Sequence, residues 1–436
     1  MRIGIVPSLN RSWGGVYQYS LSMLRALDEW KRQGCEDEFV VFAHQSNDPV
    51  LLSLNKHGWA IKPLHPPALK RQAIDGIFRI VGDRPPRKAL RWIKRKLKLN
   101  IPNPEAVQFQ AKMTRWFREF DVDMMLYPDA TVLSFETRVP YVMAIHDLQH
   151  RLQPEFPEIS ANGEWERREY KFRNGTRYAT LLLADSEIGR EDILNFYGAY
   201  GVTPDRVKVL PFLPASYLTV NVPEEERQRV RTAYQLPERY LFYPAQFWPH
   251  KNHARIVKAI ALLKQEHSVK IPLVLVGSHT GEIGEEVFND AILLASQFGL
   301  ENEIRYLGYV PDVDISGLYA EAMALVMPTF FGPTNIPVLE AWALGCPVLT
   351  SDIRGIREQV GDAAILADPR SVEAIADGIY RLWTNETLRC TLAKLGEERL
   401  ALYTPDDYRR RLIEIFEDAK ALVRSEQHAA RRAVEI

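Results

Sequence analysis

The 436-residue sequence has few cysteines, no long apolar run and almost no net charge. Its three cysteines, Cys35, Cys346 and Cys390, are widely spaced and odd in number, which argues against a disulfide framework and predicts a reducing compartment. No stretch offers about 18 consecutive apolar residues, so no membrane-spanning helix is expected. A net charge of −1 gives the whole chain no bulk attraction for nucleic acid. The first residues, MRIGIVPSLN, hold too short an apolar run for a signal peptide, and we expect a cytoplasmic protein.

Short apolar runs alternate with longer amphipathic patterns along most of the chain. Most runs are continuously apolar, which is typical of parallel strands buried on both faces. The length suggests two domains of roughly 200 residues. The repeated strand–helix order therefore predicts an α/β protein with two doubly wound Rossmann-like domains that face a cleft. The strand candidates are Ile3–Ser8, Phe39–His44, Asp123–Pro128, Tyr141–Asp147, Thr180–Ser186, Val207–Phe212, Tyr240–Ala245, Pro272–Ser278, Ile304–Val310, Ala324–Thr329, Pro347–Asp352 and Ala363–Pro369.

The polar segment Asn221–Arg239 separates the two series of strand candidates. We predict an N-terminal Rossmann-like domain over residues 1–220 and a C-terminal one over residues 221–405. Residues 406–436 have the pattern of a charged helix without a strand. An insertion is expected at about residues 62–118, because no strand pattern is visible from Lys62 to about Asn100.

The predicted insertion contains a basic segment, Arg84–Lys98, with eight lysine or arginine residues and no acid. Trp92, Ile93, Leu97 and Leu99 are interleaved with these charges. A solvated helix face or a loop is one interpretation, and a basic amphipathic element on an anionic membrane surface is another. Nucleic-acid binding is disfavoured, because no recognised nucleic-acid module is present.

Ligands of open parallel sheets bind beyond the carboxyl ends of the strands, so we expect binding residues directly after the strand candidates. Gly14 and Gly15 precede a helix whose free amides could hold an anion. This turn lacks the G-x-G-x-x-G dinucleotide fingerprint, and a simple tight turn is the alternative. His146 ends another strand candidate, where it either contacts a substrate hydroxyl or is a core histidine.

Two segments of the second half suggest a phosphate site. Lys251 lies just before a predicted helix, where its charge opposes the helix dipole. An anionic ligand would resolve that conflict, whereas a solvent-exposed loop lysine is the alternative. The turn residues FGPTN place amides within Thr334–Ile336 ahead of a helix predicted to begin at Pro337. Glu340, in the first turn of that helix, either stabilises the helix or accepts hydrogen bonds from a pair of ribose hydroxyls.

These motifs occur together in one known family. In order and spacing, the sequence resembles the retaining glycosyltransferases of family 4, which have the GT-B fold. The resemblance extends over nearly the whole chain, is most specific over Asn335–Pro369 and is weakest at the predicted insertion. In such folds the last helix usually crosses back to pack on the first domain.

The resemblance implies that a GDP- or UDP-linked sugar binds mainly to the C-terminal domain and a glycan or lipid-linked glycan acceptor mainly to the N-terminal domain. It implies a retaining hexosyltransferase. We expect no metal and no further cofactor, because Lys251, the loop amides and the helix start would neutralise the diphosphate and no Asp-x-Asp motif follows a strand in the right region. If Arg84–Lys98 binds lipid, we expect a peripheral enzyme of cell-surface polysaccharide synthesis at the inner membrane face. His146 and Lys251 would be the catalytic residues. The donor would contact Gly15, Gln246, Lys251, Gly308, Tyr309, Val310, Thr334, Asn335, Ile336 and Glu340.

Two positions depart from the family pattern. Gly332 stands where the first acid of the usual paired-glutamate motif is expected, which leaves the identity of the sugar open. Gln246 stands in place of an arginine, so one counter-charge of the diphosphate is missing, and His250, Arg354 and Arg357 are candidates to replace it. Two other functions therefore stay open: a sugar-nucleotide epimerase on the same fold, and a non-catalytic protein that binds nucleotide sugars.

Overall fold

The computed structural model describes residues 1–44, 47–66 and 101–434. Within them, parallel strands form two separate sheets, which confirms the predicted pair of Rossmann-like domains. The strands of the first sheet are β1 (Arg2–Ile5), β2 (Glu38–Ala43), β3 (Ala60–Pro63), β4 (Met124–Tyr127), β5 (Tyr141–Ile145), β6 (Leu181–Ala184) and β7 (Val207–Val209). Those of the second are β8 (Leu241–Pro244), β9 (Leu273–Val276), β10 (Ile304–Tyr306), β11 (Ala324–Met327), β12 (Val348–Ser351) and β13 (Ile365–Ala367).

Both sheets are doubly wound. The strand order is β3-β2-β1-β4-β5-β6-β7 in the first sheet and β10-β9-β8-β11-β12-β13 in the second. Each order reverses direction at its first strand in sequence, and ligands of such sheets bind at that switch point. The loops that follow β1, β4 and β5 in one domain, and β8 and β11 in the other, are therefore where a site is expected.

Helices cover both faces of each sheet and connect the strands. In the N-terminal domain they are α1 (Gly15–Arg32), α2 (Pro49–Lys56), α3 (Ala111–Arg118), α4 (Leu133–Glu136), α5 (Gln149–Leu152), α6 (Pro157–Ser160), α7 (Glu164–Tyr178) and α8 (Glu187–Tyr197). The helices that follow are α9 (Glu224–Ala233), α10 (His253–His267), α11 (Glu282–Gln297), α12 (Asp312–Ala320), α13 (Ile336–Ala343), α14 (Ile356–Val360), α15 (Val372–Thr384), α16 (Glu386–Leu400) and α17 (Pro405–Val434). Among the described helices, none is both long and apolar enough to cross a membrane.

The strands are shorter than their apolar runs suggested. Val207–Phe212, for example, contains a strand only over Val207–Val209. Residues at both ends of the predicted insertion belong to regular structure: Lys62 and Pro63 end β3, and α3 buries Met113 and Phe117 in the core of the first domain. The basic segment Arg84–Lys98 lies outside the described residues, so its interpretation stays a prediction.

The long helix α17 packs on the first domain, although it follows the second domain in sequence. Its residues Tyr408, Leu412 and Phe416 are buried in the same cluster as Ile3 of β1. The Lys420 ammonium and the Asp37 carboxylate, both buried, lie 2.7 Å apart. Breaking a buried ion pair by removing one partner typically costs about 3–5 kcal/mol, so α17 is an integral part of the first domain.

Candidate functional site

A cleft of about 610 Å³ lies between the two domains, within the roughly 300–1,000 Å³ that small-molecule sites occupy. The loops after β1, β5, β8 and β11 all contribute to its wall. In the described part of the chain, the lining does not include Gly308, Tyr309 or Val310, although Asp312 just beyond that loop does line it. The predicted site residues that the cleft brings together are Gly15, His146, Gln246, Lys251, Thr334, Asn335, Ile336 and Glu340.

A short 3-10 turn ending at Lys251 places this lysine against the loop that follows β11. The carbonyl of His250 accepts a hydrogen bond from the amide of Phe330 at 2.7 Å. The next residue, Asn252, has the left-handed φ of 63° and donates from Nδ2 to the carbonyl of Pro328 at 2.8 Å. The lysine and the β11 loop are thus held together by hydrogen bonds on both sides of Lys251.

The Lys251 ammonium has no hydrogen bond or ion pair with any described residue. Burial lowers its pKa to about 8, although the carboxylates of Asp147 and Glu158 oppose this shift. Desolvation disfavours the charged form of a lysine unless a counter-charge is present. An anionic ligand in the cleft would supply that counter-charge.

Most other charged side chains of the cleft already have partners. Arg168 is paired with Asp147, His250 with Glu158 at 2.6 Å, Arg11 with Asp312 at 3.8 Å, and His146 with Asp185 at 3.1 Å. Among the lining residues that the structure describes, Lys251 and Glu340 are the charged groups without an ion pair, although the Asp147 and Glu158 carboxylates are near enough to raise the pKa of Lys251. These two groups are therefore the ones free to bind a ligand by charge.

Glu340 lies on α13 and is only 5% exposed. The hydroxyl of Tyr217 donates to its Oε1 at 2.7 Å, and the hydroxyl of Tyr319 donates to its Oε2 at 2.9 Å. Burial raises the pKa of Glu340, and these two donors oppose that shift. An ionised carboxylate offers about four acceptor sites, so two remain for the hydroxyls of a ligand. Because the helix begins at Ile336, its first turn contains no acid, so the predicted first-turn position of Glu340 was wrong and helix stabilisation does not account for this residue.

The amides after β11 divide into free and occupied ones. The Asn335 amide donates to Oε1 of Gln359 at 2.9 Å, and Nε2 of Gln359 donates back to the Asn335 carbonyl at 2.8 Å. The Asn335 amide is therefore not available to a ligand in this structure. The amides of Thr334 and Ile336 have no acceptor among the described residues, and α13 begins at Ile336, so its positive end points to this loop.

The missing acid at Gly332 has a structural reason. Gly332 has φ of 123°, a conformation that residues with a side chain rarely adopt. A Cβ atom there would lie 2.8 Å from Oδ1 of Asn335, whose Nδ2 donates to the Gly332 carbonyl at 3.1 Å. The Asn335 side chain thus occupies the space beside position 332, and an acid would displace it.

None of the three candidates for the missing counter-charge supplies it. Arg354 is paired with Asp192 at 2.5 Å and Arg357 with Asp352 at 2.6 Å, and neither arginine lines the cleft. His250 does line it, but burial lowers its pKa. The arginines that line the cleft instead are Arg11 and Arg168, which sequence reasoning missed because neither belongs to a recognised motif.

His146 has both ring nitrogens engaged. Nδ1 lies 3.1 Å from Oδ2 of Asp185, and Nε2 donates to the carbonyl of Pro128 at 2.8 Å. Burial opposes the charged ring, but the Asp185 and Asp129 carboxylates and the Pro128 carbonyl together raise the pKa of His146 to about 9. The ring is therefore a cation whose two N–H groups are both taken. Asp185 was missed, although its position directly after β6 was a signal that could have identified it.

Residues 224–399 match a family model described as glycosyl transferases group 1. The match lies in the C-terminal part of the chain, and it confirms the predicted resemblance to glycosyltransferases of the GT-B fold. The structure resembles that of Anabaena Alr3699/HepE in complex with UDP and glucose, with a TM-score of 0.66, 16% identity and coverage of 96% of this chain and 99% of that one. At this identity the likeness shows the fold alone.

Two curated relatives match about half of the chain. The O-antigen chain mannosyltransferase B of Escherichia coli is 33% identical over 214 residues, 48% of this chain and 53% of the relative. A D-inositol 3-phosphate glycosyltransferase of Nocardioides is 27% identical over 259 residues, 56% of this chain and 55% of the relative. The chain spans about half the length of these relatives, so their activities are models for a proposal.

Proposed function

We propose that this protein is a retaining hexosyltransferase that moves a sugar from a GDP- or UDP-linked donor to a hydroxyl of a glycan or lipid-linked glycan. The observation that carries the proposal is the pairing of charges in the cleft, which leaves Lys251 and Glu340 for the ligand. A half-buried ammonium without an ion pair suits a diphosphate, and a carboxylate with two open acceptor sites suits the hydroxyl pair of a ribose. The similarity to a mannosyltransferase of O-antigen synthesis favours a role in cell-surface polysaccharide synthesis.

In the proposed reaction, an acceptor hydroxyl attacks the anomeric carbon on the face from which the phosphate leaves. The bond between that carbon and the phosphate oxygen breaks as the new glycosidic bond forms, and the hydroxyl proton passes to the departing phosphate. The Lys251 ammonium, the amides of Thr334 and Ile336 and the positive end of α13 stabilise the charge that develops on the phosphate. These groups neutralise the charge on the departing phosphate, so we propose that the transfer needs no metal ion.

His146 is a positioning residue in this proposal. Its N–H groups are held by Asp185 and Pro128, so the ring is a fixed cation at the wall of the cleft. The sugar of the donor would lie in the cleft that this ring lines together with Gly15 and Ile336. These two residues belong to opposite domains and approach each other closely, since a Cβ added to Gly15 would be 3.5 Å from Cδ1 of Ile336.

Incubation with GDP-mannose or UDP-glucose and a lipid-linked glycan extract tests the activity. A product whose new linkage keeps the anomeric configuration of the donor, determined by NMR, supports the proposal, and chelation of metals should leave the rate unchanged. Lys251→Ala should lower kcat about a hundredfold or more, as loss of one such donor typically does. Lys258→Ala is the matched control, because Lys258 is exposed on α10. An unchanged kcat in Lys251→Ala would reject the role of this lysine.

The two other functions predict different products. An epimerase converts the donor without any acceptor, which mass spectrometry cannot see but NMR of the recovered sugar nucleotide can. A non-catalytic binding protein is stabilised by nucleotide yet shows no turnover with any extract.

We also propose peripheral binding at the inner membrane face through Arg84–Lys98. Flotation with anionic and neutral liposomes tests this, and equal flotation with both would contradict it.

A further inference from the structure

A second cavity of about 650 Å³ adjoins the cleft, and the two share seven lining residues: Trp13, Val16, His146, Asp147, Arg168, Gln246 and Trp248. It is also formed by both domains. Neither Lys251 nor Glu340 lines it, so the charges proposed to hold the donor lie outside this cavity. A second ligand bound there would lie next to the first one.

Two indole rings line the second cavity from opposite domains. Trp13 comes from the loop between β1 and α1 and is 54% exposed, an unusual position for so large an apolar surface. Trp248 comes from the loop after β8, and its Nε1 donates to Oε1 of Gln246 at 2.8 Å, which fixes the orientation of the ring. Indoles combine a broad apolar face with a polar edge. A sugar ring can stack on that face while its hydroxyls lie near the polar edge.

Hydrogen-bond donors and acceptors also line the second cavity. The Asp129 carboxylate follows β4 and accepts the amide of Ala130 at 2.8 Å through Oδ1, which leaves acceptor sites open. Nε of Arg168 is buried without a partner among the described residues. The Lys171 ammonium lies 4.8 Å from the Phe172 ring and has no ion pair within the described chain. The cavity thus offers both unused acceptors and unused donors.

The charges of this wall cancel. Asp129 and Asp147 contribute two negative charges, and Arg168 and Lys171 contribute two positive ones. The fifth charged group, His146, is balanced by Asp185 behind it. A cavity of net zero charge with donors, acceptors and two indoles suits a neutral, polyhydroxylated ring better than a phosphorylated one.

We propose that the second cavity is the acceptor site and that it takes a neutral pyranoside, stacked on Trp13 with a hydroxyl on Asp129. This inference rests on the proposed function, because the acceptor must lie beside the donor. Asp129 lines this cavity and not the cleft, so its substitution should not affect the nucleotide, whereas Trp13 lines both.

Saturation-transfer difference NMR tests the inference with named probes. Methyl α-D-mannopyranoside is the neutral probe and D-glucuronate is the anionic probe, each with UDP or GDP present. The wild type should saturate the neutral sugar more strongly. Trp13→Ala and Asp129→Asn should lower that signal about three- to tenfold, as loss of one aromatic or hydrogen-bonding contact does. Phe298→Ala is the matched control, because Phe298 is a 45% exposed aromatic residue that lines neither cavity.

Calorimetry with UDP and GDP on the same samples separates this inference from the proposed function. If nucleotide binds to Asp129→Asn as to the wild type while the sugar signal falls in both variants, the acceptor site is supported. If nucleotide binds but the sugar signal is absent, unchanged in both variants or stronger for glucuronate, the inference is wrong. If the sugar binds as described but no nucleotide binds to the wild type, the saccharide site stands and the proposed transferase function fails.

Discussion

Protonation of Lys251 gives a sensitive test of the diphosphate site. Its pKa in the ligand-free protein is about 8, against 10.5 for an ordinary lysine. A diphosphate beside the ammonium favours the charged form, so binding should raise this pKa again and the protein should take up protons. Half of the ammonium is deprotonated at a pH equal to its pKa, so we expect uptake of about 0.5 proton per nucleotide there, and about 0.1 one pH unit lower.

The affinity should follow the same titration. The charged lysine is the form that binds, so affinity for UDP or GDP should be constant well below pH 8 and should fall as pH rises through about 8. Lys251→Met removes the charge altogether. Its effect should be about 3 kcal/mol, or a hundredfold in Kd, the size of one buried charged donor.

Calorimetry in buffers of different ionisation enthalpy measures the proton uptake directly. Uridine and guanosine, which lack the diphosphate, should bind without uptake, and Lys258→Met should behave as the wild type. Binding of UDP or GDP at pH 8 with no proton uptake would show that Lys251 does not meet the diphosphate. The same conclusion would follow if Lys251→Met kept the proton uptake of the wild type.

Three further predictions concern the groups around Lys251. Glu340→Gln should weaken the binding of uridine or guanosine and of their diphosphates alike, about ten- to a hundredfold, because it removes a charged acceptor of the ribose hydroxyls. Calorimetry on both ligand types checks this, and a loss of affinity confined to the diphosphates would contradict it. Tyr217→Phe should weaken nucleotide binding about two- to tenfold, because the Tyr217 hydroxyl helps to keep the buried Glu340 carboxylate ionised. An unchanged affinity in a titration of this variant would contradict that role. The pKa of His146 is about 9 when folded and 6.5 in the ordinary state, so its stabilising contribution is complete below pH 6.5 and is lost as pH rises through about 9. Urea unfolding should show up to about 3 kcal/mol of this loss, and Asp185→Asn should abolish the dependence.

The parts of the fold that were predictable depend on local patterns. Continuous apolar runs such as that of β5 indicate strands buried on both faces, wherever the rest of the chain lies. Lys251 was detectable for a similar reason, because a lysine ahead of a helix is a local conflict with the helix dipole. Glu340 was detectable because Pro337 marks the start of its helix within a few residues.

What could not be predicted depends on residues distant in the chain. Tyr217 meets Glu340 across 123 positions, and nothing near either residue indicates the contact. Gln359 occupies the Asn335 amide, so one of three expected donors was lost to a partner on another helix. The strand β3 was missed because its residues, AIKP, lack the apolar run of a strand buried on both faces.

The return of α17 to the first domain has a consequence for biosynthesis. Domains of a nascent chain usually fold in order, the N-terminal one first. Here the first domain lacks Tyr408, Leu412 and Phe416 until the ribosome has made the entire second domain. The N-terminal domain is therefore synthesised first but completes its core last. Until then, the apolar surface that α17 covers stays accessible to chaperones.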